Sequence, residues 1–309
     1  MKLFGIRNIM IKNISIRNIS RYVCGFCVVV MMLASCASTD SVMGEYGGNK
    51  QKLIDCPQYT AETHVFEFKD CVDEMRAAEI RAYFKANAGL DLEAVAAAET
   101  TTWEKAVELA VFVAKNIPHD NQKEPLAERN AISLWEYSRR VPTGFNCRWH
   151  GTILSELLLS IGIKNFFATC LPAVDDGDCH VVNVVWLPEE EKWAMIDSDM
   201  LEYAVGEDGK VLSLQEMREY IRGGKTFAIC ALPGFDDSWI ATVSGKEYMQ
   251  AYWTKNLYWF AAHTTYAFDL EGNRTVPDEY VCLVPPGFDC SNVYADNPVT
   301  TSDEAFWNR

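Results

Sequence analysis

The residue types best suited to covalent chemistry gather between Gly144 and Asp199. Cys147 follows Gly144-Phe145-Asn146, and apolar residues recur after it at Leu154, Leu158 and Ile161, one face of a helix. Asn146 is suited to cap that helix. The Cys147 sulfur would then sit in the first turn, where unpaired amides and the helix dipole favour negative charge. A thiolate so placed attacks carbonyl carbon. Gly151, one turn on, leaves room for another element to approach closely.

Such a thiol needs a base. His180 opens the run His180-Val181-Val182-Asn183-Val184-Val185-Trp186-Leu187, whose β-branched and aromatic content predicts a central strand. Pro188 and three glutamates end it, and Lys192-Trp193-Ala194-Met195-Ile196-Asp197 predicts a second strand, giving a hairpin. Pairing Leu187 with Lys192 sets Val182 opposite Asp197 and His180 opposite Asp199, all on one face. A slip of one residue would destroy this arrangement. Asp197 is then the diagonal neighbour of His180, and Asp199 is its direct rival for orienting the ring. His150, three residues after Cys147 on nearly the same helical face, is an alternative base, but no carboxylate is evident there to orient it. His64, His119 and His263 read as surface or core residues.

Asn146-Cys147 before an apolar helix, His180-Val181-x-Asn183-x-x-Trp186 and then Trp193-x-x-x-Asp197 resemble the transglutaminase-like superfamily of thiol enzymes. The resemblance spans roughly sixty residues. It implies an α+β, papain-like core, with helices leading up to a cysteine helix that packs on an antiparallel sheet. It also implies Cys147 as nucleophile, His180 as general base and acid, and Asp197 as the orienting carboxylate. The chemistry would be acyl transfer through a thioester on peptide or glutamine-type amides, with no cofactor or metal. Water would resolve the thioester in a peptidase or amidase, and an amine would do so in a protein-glutamine transferase. A cell-surface binding module on the same fold is a third reading, against which the intact Cys, His and Asp set argues. Val184 stands where many members carry an acid and Ser198 where proline is usual, which leaves the substrate class open. In that family a tryptophan can help hold the oxyanion. Trp103 and Trp135 precede the cysteine, and the Cys147 amide is the other donor.

Helices must position this stretch from the N-terminal side. Residues 72–88 carry a serviceable helical pattern stopped by Gly89. Thr101-x-x-Glu104 is a capping box before the stripe Trp103, Val107, Val111 and Ala114, and a further helix is expected around 131–137. After the cysteine helix, residues 164–171 predict a strand, so three antiparallel strands follow it in order. Ser213-x-x-Glu216 caps another helix. Residues 226–232 and 239–243 are candidate strands, 247–262 is aromatic and of mixed type, and 280–309 reads as irregular. Tyr248, Tyr252, Trp253, Tyr258, Trp259 and Phe260 form the densest aromatic cluster and read as core, with an aromatic substrate groove as the alternative.

The chain is long enough, at 309 residues, to bury a full core. Its first 35 residues hold five of the 28 basic residues and no acid, followed by an apolar run from Val23 to Leu33, the pattern of a signal peptide. The run ends in Leu33-Ala34-Ser35-Cys36, which resembles the bacterial lipoprotein cleavage box and would make Cys36 a lipidated N-terminus on an exported, membrane-anchored protein. An ordinary signal peptide or anchor is the alternative, and Met10 is a second candidate start. The organisation expected is a leader at 1–35, a flexible Gly/Ser-rich tether at 36–55, a catalytic core at 56–205, and an extension at 206–309 packed on that core. The formal charge of −15 argues against nucleic acid as a partner, leaving a peptide or protein substrate and, through Cys36, a lipid bilayer.

Of 11 cysteines, Cys24, Cys27 and Cys36 belong to the leader and its end, leaving eight, an odd number once Cys147 is set aside. Cys170 and Cys179 bracket the loop before His180. A bridge there would stabilise by about 2–3 kcal/mol and brace the strand that carries the base. Cys282 with Cys290 is a similar pair. After the leader no cysteine or histidine grouping has zinc-site spacing.

Overall fold

The structure, a computed structural model, describes residues 47–62, 66–68, 72–121, 125–265 and 279–309. The expected leader, Cys36, His64 and most of the tether lie outside the described residues. Residues 47–55 are already helical, and Leu53 is fully buried in a core, so the folded body includes the end of the stretch expected to be a tether.

After the helical stretch at 47–55, five more helices precede the sheet among the described residues. α1 (Glu74–Asn87) starts where the Asp73 side chain accepts from the Arg76 amide, and it gives way to Gly89 at φ 68°. α2 (Leu92–Ala97) is a short helix that the sequence pattern did not announce. α3 (Thr102–Asn116) starts on the expected capping box, with Thr101 and Glu104 each accepting from the other's backbone amide. α4 (Ala131–Arg140) is capped by Asn130, and α5 (Cys147–Ser160) by Asn146. α5 is more buried than an amphipathic stripe requires, because α1, α3 and α4 cover one side of it and the sheet covers the other. Trp149, Ile153, Leu154, Leu157 and Leu158 all enter the first core. Each such aliphatic side chain stabilises by about 1.5–3 kcal/mol.

The remaining chain builds one eight-stranded sheet. Its strands are β1 (Asn165–Leu171), β2 (His180–Leu187), β3 (Lys192–Asp197), β4 (Glu202–Val205), β5 (Ala228–Ala231), β6 (Trp259–Thr265), β7 (Glu279–Leu283) and β8 (Val299–Thr300), in the order β5-β4-β3-β2-β1-β6-β7-β8. Only the short β7–β8 pair is parallel. The class is thus mixed α+β with an antiparallel-dominated sheet. α6 (Leu214–Arg222), α7 (Val243–Asn256) and α8 (Asp303–Trp307) intervene, and their apolar residues form a second core with the sheet face bearing Ala168, Val182 and Met195.

Several expectations are corrected here. Residues 239–243 are not a strand. Trp239–Ala241 is a single 3-10 turn, after which the Thr242 side chain accepts from the Gly245 amide and starts α7. The aromatic stretch that follows resolves into the end of α7 and β6. Residues 280–309 are irregular only in part, since 284–298 hold neither helix nor strand but the remainder supplies β7, β8 and α8. The segment after residue 205 contributes strands to both edges of the sheet, so the sheet runs continuously through core and extension. Cys170 and Cys179 are both free thiols rather than a bridge. Cys170 is the cross-strand partner of His180 and packs into the second core. Cys179 packs with Leu171 in a third apolar cluster. Cys282 and Cys290 are likewise free and buried together.

Candidate active site

Placement of the thiol depends on the segment before it. Phe145 N donates to Pro118 O at 3.0 Å and Asp120 N to Phe145 O at 2.8 Å, while Thr143 Oγ1 donates to Asp120 Oδ2 at 2.9 Å. Residues 118–120 are thereby laced to 143–145, and a Cβ on Gly144 would lie 2.1 Å from Pro118 O. Asn146 then turns the chain into α5, its side chain accepting from Arg148 N at 3.2 Å. The Cys147 amide itself has no partner among the described residues, which makes it available to a developing oxyanion. Asn183 Nδ2, on β2, donates to Gly151 O at 3.0 Å, fixing the cysteine helix to the histidine strand where the glycine permits contact.

The hairpin has the expected register, Leu187 with Lys192 through Asn183 with Ile196. His180 Nε2 meets Asp197 Oδ2 at 2.5 Å, and both residues are about 1% exposed. Asp197 Oδ1 accepts from the amides of Asp199 (2.9 Å) and Met200 (3.0 Å). Those two bonds tie the turn that ends β3, so Asp199 leaves the ladder before it can lie opposite His180. Sulfur, imidazole nitrogen and a carboxylate oxygen of Cys147, His180 and Asp199 all stand within 4.8 Å of one another. These three groups could also offer a sulfur, nitrogen and oxygen donor set to a metal ion. Because Asp197 holds Nε2, the ring nitrogen left for Cys147 is Nδ1. Burial alone would push the His180 imidazole down, but the charge of Asp197 and its hydrogen bond, with a smaller contribution from Cys147, hold it well above its ordinary value. The arrangement joins a nucleophilic sulfur, an imidazole able to carry its proton and a carboxylate that keeps the imidazole charged and oriented.

Further groups, missed in the sequence, surround this set. His119 Nδ1 lies 2.9 Å from Asp199 Oδ1, and that hydrogen bond raises the imidazole above its usual value. Nothing local in Pro118-His119-Asp120 announces this, because the contact depends on the bridge to Phe145. Glu202, the cross-strand partner of Asp197, is fully buried and accepts from Trp253 Nε1 at 2.6 Å. Burial, and then the charge of Asp197, push its carboxyl well above the carboxylate range. Tyr252 and Trp253 of α7 meet the His180 ring edge to face, at centroid distances of 5.4 and 5.5 Å. Trp253 is core, as expected, while Tyr252 reaches the edge of the site. His150 is buried, with Nε2 3.5 Å from Asp199 Oδ1 and from Pro118 O, and desolvation pushes it below its usual value. Asp199 is thus the carboxylate that the sequence did not show near His150, at a longer distance than the 2.5 Å between Asp197 and His180. Neither Trp103 nor Trp135 lies at the site: Trp103 packs on Tyr203 at 5.5 Å, and Trp135 stacks on Phe112 at 5.3 Å.

No family model matches the chain, and no curated protein matches it either. Among solved structures, a proposed cysteine protease from Cytophaga hutchinsonii matches over 45% of this chain with a TM-score of 0.29 and 13% identity. The match spans 42% of that protein's own length. At that similarity it carries no argument about this chain.

Proposed function

We propose that this protein is a thiol acyl-transfer enzyme with a transglutaminase-like, papain-like core, acting as a hydrolase of peptide or glutamine-type amides. The observation that carries this reading is His180 held by Asp197 at 2.5 Å on one ring nitrogen, with the Cys147 sulfur at a helix N-terminus beside the ring. In the first step the sulfur of Cys147 attacks the amide carbon, the amide C–N bond breaks and His180 gives its proton to the departing amine. Water then adds to the thioester as His180 takes its proton. The C–S bond breaks, the acid leaves and the thiol is restored. The Cys147 amide is the oxyanion donor.

Transfer to an amine rather than water is the second reading. Our reading takes water as the nucleophile that resolves the thioester. Incubating the protein with a glutamine-containing protein and a labelled primary amine decides between them. Ammonia release without incorporation of label is expected, whereas efficient incorporation with little ammonia in the amine's absence would establish the transferase. A binding module without turnover predicts neither product.

Leu33-Ala34-Ser35-Cys36 supports an exported lipoprotein tethered to a membrane through Cys36. Cys36→Ala is expected to release the protein from the membrane fraction or block processing of the leader. Unchanged attachment and cleavage would remove the lipid anchor from this account.

A further inference from the structure

Two carboxyls lie side by side next to the imidazole, and the triad uses one of them. Asp197 and Glu202 are cross-strand partners on β3 and β4, so both side chains leave the same face of the sheet, with Cβ atoms about 4.5–5.5 Å apart. Both are buried, at 1% and 0% exposure. Asp197 is held by His180 and two turn amides. Glu202 has a single hydrogen bond, from Trp253 Nε1 to Oε1 at 2.6 Å, and its Oε2 has no partner among the described residues. The groups that face it are Asp197 from β3, His180 from β2, Cys230 from β5 and the indole of Trp253 from α7. His180 is the one cation in that set, already shared by Asp197 and by the Cys147 thiolate. A carboxylate at Glu202 would add a third negative charge around a single imidazolium, in a fully buried place. Trp253 is itself fully buried, and its ring meets the imidazole of His180 at 5.5 Å.

We propose that Glu202 is a positioning residue that works as a neutral carboxylic acid. Its Oε1 holds the Trp253 indole against His180, its proton stays on Oε2, and its lack of charge leaves Asp197 as the single anion that sets the imidazole. This deepens the thiol acyl-transfer reading and rests on it. An ionised Glu202 would make His180 hold its proton more tightly, and delivery of that proton to the departing amine would slow. A neutral side chain without an acceptor would let the indole turn, and the wall that keeps the imidazole facing the sulfur would loosen. Burial and the charge of Asp197 act in the same direction on Glu202, both favouring the protonated form.

Two replacements, one that keeps the acceptor and one that loses it, are compared through alkylation of Cys147 by iodoacetamide. Glu202→Gln preserves both the neutral state and the bond to Trp253, and its rate is expected to stay within about threefold of wild type at every pH. Glu202→Met keeps the length but leaves the indole N–H unpaired. It is expected to lower the rate by roughly three- to tenfold in the acidic limb, where the imidazolium sustains the thiolate, and to leave the alkaline rate unchanged, where the thiol ionises unaided. A loss in Glu202→Gln as large as in Glu202→Met would show that the charge is in use, and wild-type behaviour in Glu202→Met would show that the indole needs no holding; either overturns the proposal. The infrared difference between wild type and Glu202→Gln at about pH 7 covers a methionine variant that fails to fold. A protonated-carboxyl C=O band present in wild type and missing from Glu202→Gln is expected, with Glu156 and Asp303, whose carboxyls burial also raises, cancelling in the subtraction. Absence of that band overturns the proposal and leaves the triad standing. A wild-type thiol inert to iodoacetamide sinks the acyl-transfer reading and this proposal with it.

Discussion

Asp197→Asn lowers turnover by about three to four orders of magnitude, and Cys147→Ala and His180→Ala abolish it, with the folded state retained in each case. The carboxylate at 2.5 Å from Nε2 both charges the buried imidazole and fixes which nitrogen faces the sulfur. An amide in its place keeps a hydrogen bond but supplies no charge, and burial then pushes the imidazole down. Asp199→Asn costs far less, roughly tenfold or under, because Asp199 is committed to His119 and lies past the end of the ladder. Steady-state kinetics on any amide that the wild type cleaves provides the comparison. Equal losses in the two asparagine variants would show that the carboxylates act as one unit and that the assignment to Asp197 is wrong.

Gly144→Ala is expected to destabilise the fold by about 2–4 kcal/mol and to slow alkylation of Cys147 on the order of a hundredfold. The added methyl would sit 2.1 Å from Pro118 O and 2.9 Å from Asp120 Cβ, and the closest obstacle is backbone that cannot rotate away. Relief requires parting residues 118–120 from 143–145, which breaks the bonds that set both the start of α5 and the position of His119. Gly151→Ala is the control. Its Cβ would meet Phe167 Cβ at 3.4 Å and Val181 Cγ1 at 3.5 Å, ordinary contacts, and alanine favours the helix by about 1 kcal/mol, so stability should change by about 1 kcal/mol or less. Urea unfolding and the alkylation rate read both variants. Gly144→Ala with wild-type values in each would mean that the bridge is not what positions the thiol.

The contrast between these two glycines shows which features the sequence carried. Gly151 was readable as a close approach because it lies one turn after Cys147 on a patterned helix. Gly144 is tighter, but its partner Pro118 is distant in sequence, and no local pattern joins them. The hairpin register was legible for a related reason: one short loop and a strict alternation of faces fix every pair between Leu187 with Lys192 and Asn183 with Ile196. Alternation put both aspartates on the face of His180 and pairing geometry favoured Asp199, while the family resemblance pointed to Asp197. The turn amides of Asp199 and Met200 that bind Asp197 decided the matter, and such side-chain bonds leave no periodic trace. Glu202 reads as an ordinary acid in a short strand until β4 is laid beside β3. The strands β6 to β8 went unread for want of alternation, since β6 is buried from Trp259 to Thr264 and β8 has only two residues. Loop length suits a bridge between Cys170 and Cys179, but spacing carries no trace of the packing that leaves both thiols free.

The pH dependence of Cys147 alkylation by iodoacetamide tests the central claim most directly, since it needs no knowledge of the substrate. With an imidazole held charged by Asp197 beside the sulfur, the alkylation rate of the wild type should keep an acidic limb that depends on His180. His180→Ala should lose that acidic limb and react only as the solution becomes alkaline, while His150→Ala and His119→Ala keep it. Loss of the limb in His150→Ala with His180→Ala unaffected would contradict the account, because the base would then lie on the nucleophile's own helix and the His180–Asp197 pair would have no part in activating the thiol.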